Sequence, residues 1–108
     1  MPALAHLNIV PAVTFEGSGT FKDRAAFRKA LEGKLEGLKG RLPGEPRETR
    51  TEEGGEERIL WEYMGARFEV AVRAVDWSYE VEIPPYLPVP ARDVQSMVEG
   101  EFAGLDRY

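Results

Sequence analysis

The chain has 108 residues, a net charge of −5 and 43% hydrophobic residues, which fits one domain with one modest core. It has no cysteine and a single histidine, His6. That excludes disulfides, thiolate nucleophiles and cysteine-bound metals, and leaves too few imidazoles for a histidine metal site or a Ser-His-Asp arrangement.

No apolar run approaches the ~20 residues of a membrane-spanning helix. The opening MPALAHLNIV lacks the basic region and cleavage-like site of a signal peptide, so a soluble cytoplasmic protein is expected. Asn8 and Gln95 are the only side-chain amides, beside abundant Glu and Arg, a thermophile-like composition.

Leu7, Ile9, Val13 and Phe15 alternate with His6, Asn8, Thr14 and Glu16, which predicts a first strand over about residues 4–16. Pro11 cannot donate to a ladder, so that strand lies at an edge or bulges there. His6 falls on its polar side. Gly17-Ser18-Gly19-Thr20 reads as a strand-to-helix turn, with Thr20 and Asp23 spaced like a capping box. A helix N-terminus attracts anions, but the Walker ending is missing and Lys22 stands where a third fingerprint glycine would be.

From Phe21 to Leu42 the apolar period is helical. Phe27, Leu31, Leu35, Leu38 and Leu42 form one stripe, and Ala26, Ala30, Gly33, Gly37 and Gly40 form a small-residue stripe nearly opposite. The second stripe is a candidate interface, because small residues admit close backbone approach; the alternative is surface glycines, with the helix ending near Gly37 or Gly40. This segment holds seven basic and three acidic residues, so it carries +4 and the rest of the chain −9. Such asymmetry points to intramolecular or self-complementary charge pairing before nucleic acid.

Pro43 to Glu57 is a polar break. Gly54-Gly55 marks a hairpin turn, with Arg47–Glu53 an additional polar edge strand. A bulged three-residue loop would place Thr49 and Thr51 on the apolar face, and is preferred to a two-residue turn that would place Glu48, Arg50 and Glu52 there.

Residues 58–83 predict a three-stranded meander. Ile59, Trp61 and Tyr63, then Phe68, Val70, Val72 and Ala74, then Tyr79, Val81 and Ile83 each share a parity. A Gly65-Ala66 turn would oppose Tyr63 to Phe68, and a turn around Asp76-Trp77 would oppose Ala74 to Tyr79. Both registers gather the large apolar residues on one face. On the other face Leu60, Met64, Ala71 and Val75 interrupt a charged surface, as scattered hydrophobes or as a partly covered second face. The prolines of PPYLPVP make a stiff connector. Pro90 then opens a last helix with Val94, Met97, Val98, Phe102 and Leu105 on its apolar stripe; Glu101 falls inside that stripe and needs the rim or a basic partner.

The expected fold is α+β over a single domain, residues 1–108. It has a mostly antiparallel sheet of four or five strands in the order β-α-β-β-β-β-α, with two helices on one face. This order resembles a pared-down helix-grip arrangement, that of START-like and Bet v 1-like domains, which implies a sheet wrapped around a C-terminal helix and room for an apolar ligand. It implies no particular site residue.

Three functional readings follow. The first is a non-catalytic interaction module, a homo-oligomer built on the small-residue stripe. The second is a pocket for a small apolar or aromatic ligand lined by Trp61, Tyr63, Phe68 and Tyr79. The third is nucleic-acid or anion binding through the basic helix. No catalytic pair, metal cluster or cofactor motif is legible.

Overall fold

Five runs of alternating side chains become five antiparallel strands in a computed structural model that describes residues 12–87 and 89–108. They are β1 (Val13–Thr20), β2 (Arg47–Glu53), β3 (Glu56–Tyr63), β4 (Ala66–Val72) and β5 (Asp76–Ile83), lying in the order β1-β5-β4-β3-β2. Helix α1 (Arg24–Lys39) follows β1, and α2 (Ala91–Phe102) follows β5 and leads into a 3₁₀ turn at Leu105–Arg107. The fold is α+β in the expected element order. The first strand is seen from Val13; His6, Pro11 and the connector's Pro88 lie outside the described residues.

Both registers of the β3–β4–β5 meander differ from those expected, each by an even number of residues. Met64 and Gly65, both at positive φ (51° and 84°), form the β3–β4 turn, so Tyr63 pairs with Ala66 and Trp61 with Phe68. Two positive φ values make a type I′ turn, whose twist suits flanking strands. At the next reversal Arg73 donates its N–H to the Asp76 carbonyl, so Asp76 and Trp77 belong to β5, and Val72 faces Trp77 while Ala74 is exposed in the turn. The shifts are two and four residues. Because side chains alternate with period two, neither moves a residue to the other face.

The hairpin before them corrects a further expectation. Gly54 and Gly55 (φ 61° and 81°) make a two-residue turn, not a bulged loop. Glu48 and Arg50 therefore face the helix side, opposite Trp61 and Ile59. At this edge they reach sideways to partners instead of being buried, which is why a charged strand is tolerated there.

Both helices cover the face holding Trp61, Phe68, Val70, Val72, Trp77, Tyr79, Val81 and Ile83, all of which are buried. Phe27, Leu31, Leu35 and Leu38 of α1 are buried against it, with the Phe27 ring stacked 5.7 Å from Trp77. From α2, Phe102 meets Tyr79 edge-on at 5.0 Å and Trp77 at 6.0 Å. Burying a side chain of that size contributes about 1.5–3 kcal/mol. The Trp77 Nε1–H is buried without a hydrogen-bond partner among the described residues.

The Gly17–Thr20 stretch is the second half of β1, not a turn into the helix. Gly17 pairs with Tyr79 and Gly19 with Trp77. A Cβ on Gly17 would lie 2.5 Å from the Tyr79 ring, and one on Gly19 would run into Trp77 and the Asp106 carboxylate. These glycines give space to aromatic rings. The capping role expected of Thr20 belongs to Asp23, whose carboxylate accepts from the Ala26 N–H at 3.0 Å. The N–H groups of Lys22 and Asp23 both donate to the Tyr108 carbonyl.

Among the described residues no element covers the outer face. Leu60 there is half-buried and Ala71 buried, while Met64 and Val75 sit exposed in turns. Among the described residues no helix is long and apolar enough to cross a membrane.

A Cβ on Gly33 would meet nothing within 4 Å. Gly33→Ala is expected to stabilise the protein by about 1 kcal/mol, the helix-propensity difference. Gly19→Val is expected to destabilise it by about 1–3 kcal/mol through overpacking. Urea unfolding of the two variants checks both signs.

Candidate ligand cleft

Three of the four side chains expected to line a pocket come together at one end of the covered face. Trp61 and Phe68 are cross-strand partners, and Tyr63 follows Trp61 on the same side of β3. They form the floor of an apolar cleft of about 210 Å³. Leu42, Pro43 and Pro46, in the loop after α1, make one wall. Leu87 and Val89 of the connector, with Val94 and Met97 of α2, make the other. Tyr79 does not reach it. Tyr79 lies one step further along the sheet among Phe15, Phe68, Trp77 and Phe102. Burial, and then the charge of Glu99, raise its hydroxyl pKa above the ordinary value.

The floor is held in place by charge. The Trp61 Nε1–H donates to the Glu48 carboxylate at 2.9 Å, and the Lys39 ammonium lies 5.6 Å from the centre of the Trp61 ring. Arg50 binds Glu48 at 3.1 Å and forks onto Glu32 of α1 at 2.6 and 3.1 Å. Arg28 spans Glu32 (3.2 Å) and Glu57 (2.8 Å). The Trp61 hydrogen bond first, and Arg50 second, hold the Glu48 carboxyl below its usual range. The Arg50 hydrogen bond does the same for Glu32 against the opposing effect of burial, and Glu32 in turn raises the Arg50 pKa. Edge strand, helix and Trp61 are thus tied into one network.

The small-residue stripe does not form one open patch. Ala26 and Ala30 are half-buried and Gly40 caps the helix. The space a Gly37 side chain would need is occupied by Glu101 of α2. Gly33 alone faces open space. Glu101 finds the basic partner it needed, Arg41 at 3.5 Å. Arg28, Lys39 and Arg41 of the basic segment are paired with acids of this chain.

On the outer face, a polar depression between Arg58, Glu69, Arg73 and Glu80 is bridged by Arg58–Glu69 (2.8 Å) and Arg73–Glu56 (3.2 Å). Among the described residues no group of three or more His, Asp or Glu side chains is placed to hold a metal ion.

No protein-family model and no curated protein matches the chain. The cleft therefore rests on its own geometry. Glu48, the partner of Trp61, was hidden by the bulged-loop register, which turned it to the other face. The bracketing prolines 43 and 46 were the visible signal for the loop wall.

Glu32 and Glu48 have depressed folded pKa values, so the stability they contribute is present above about pH 4.5 and is lost as pH falls through the folded values. Arg50→Leu is expected to cost about 0.5–1 kcal/mol at pH 7, as exposed network pairs do. It should also flatten the loss of stability between about pH 5 and 3. Urea unfolding across that range, compared with the unaltered protein, measures both effects.

Proposed function

We propose that the protein is a non-catalytic binder of a small apolar molecule with one or two rings, received in the cleft above Trp61, Tyr63 and Phe68. The observation that carries this reading is a cleft of about 210 Å³ whose lining is almost wholly apolar, with three aromatic rings on its floor. A dry apolar cavity of roughly 150 Å³ suffices for benzene, so this space suits a ring compound somewhat larger. Aromatic walls with few polar groups are the usual character of such sites.

Self-association along the α1 small-residue face is the second reading. Gly33 offers an open approach to a second copy, whereas Gly37 is already packed by α2 of the same chain. Binding of nucleic acid through α1 draws less support, because two of its cations, Arg28 and Lys39, and Arg41 just beyond it are matched within the chain.

The test is a titration with naphthalene, following the Trp61 indole N–H by nuclear magnetic resonance, assigned with a Trp77→Phe variant. Saturable shifts at Trp61 are expected. Val94→Trp, which fills the cleft from α2, should weaken binding at least about tenfold while the melting temperature confirms folding. Undiminished binding by that variant, or no shift in the unaltered protein, would sink the reading.

A further inference from the structure

The lining of the cleft contains one hydroxyl, that of Tyr63. Tyr63 is half-buried, and its hydroxyl makes no side-chain hydrogen bond among the described residues. It is aimed at the loop wall, since a Cβ on Gly44 would lie 3.5 Å from it. The other polar donor of the floor, Trp61 Nε1–H, is already taken by Glu48. A phenol at the rim of an apolar site offers a directional donor to whatever enters.

Three charged side chains border the mouth, Arg41, Arg67 and Asp93. Arg41 is paired with Glu101. Arg67 belongs by alternation to the outer face, between its cross-strand neighbours Glu62 and Glu82. Asp93 is exposed in the first turn of α2. Among the described residues no charged side chain is buried, so an ion placed against the floor would lose its hydration without a partner there.

We infer that the ligand is an uncharged one- or two-ring molecule carrying a hydrogen-bond acceptor, and that Tyr63 selects it by donating its hydroxyl hydrogen to that acceptor. This rests on the proposed ligand-binding reading and adds the ligand's chemistry to it.

Naphthalene and quinoline have nearly the same shape, and quinoline adds one ring-nitrogen acceptor that is unprotonated at pH 7.5. Tyr63→Phe should weaken quinoline binding about fivefold, the effect of one net hydrogen bond, and leave naphthalene within about twofold. The hydroxyl's contribution is read as the difference between the two changes, so a general loosening of the cleft cancels. Naphthoate and naphthylmethylamine should bind no more tightly than quinoline. If naphthalene binds and Tyr63→Phe alters both probes equally, the selection by Tyr63 is wrong while the cleft remains a binding site. Tighter binding of either charged probe overturns the uncharged assignment. Failure of every probe overturns the cleft itself, and this inference with it.

Discussion

One face of a five-stranded sheet has to be kept from water, and two helices do it. The sheet brings Trp61, Phe68, Trp77 and Tyr79 into one aromatic floor, and α1 and α2 reach it with Phe27 and Phe102. Where that closure is complete, the interior is packed and holds no site. At the end of the sheet where β3 turns into β4, the cover passes from helices to a proline-bounded loop and a proline-rich connector. Leu42 and Leu87 of these segments pack against the core, and the cleft lies between them and α2 above the floor.

The cleft and the edge of the sheet are therefore one problem. A bare edge strand with the sequence RETRTEE has no apolar side chain to anchor it. Arg50 instead clamps β2 to α1 through Glu32, and its neighbour Glu48 fixes the indole of Trp61. The charge asymmetry of the chain resolves in the same way. Arg28 of α1 meets an acid of the hairpin and Arg41, just after α1, meets one of α2, so opposite charges that are distant in sequence meet within the fold.

Glycine does two different jobs here. In the turns it supplies positive φ. In β1 and α1 it supplies absence: Gly17 and Gly19 leave room for Tyr79 and Trp77, and Gly37 leaves room for Glu101. Neither use at Gly17 and Gly19 was legible locally, because G-S-G-T has the composition of a turn. Only the partner strand, with two large rings opposite those positions, explains why a strand there omits its side chains. The same limit applied to Trp77, which reads as a turn residue until the stacking available to it on Phe27 and Tyr79 is considered.

By itself the sequence determined the order of elements, the single antiparallel sheet and, within the meander, the common face of its large apolar residues apart from Trp77. Those follow from periodicity, and periodicity survives any slip by an even number of residues. It also assembled Trp61, Tyr63 and Phe68, since parity and adjacency in one hairpin are local properties. Tertiary structure alone decided the exact pairing of the strands, the side to which Glu48 and Arg50 turn, and the exclusion of Tyr79 from the cleft. Each of these depends on backbone torsions at two or three turn residues and on packing between distant segments, and a one-dimensional pattern of apolar and polar residues carries neither.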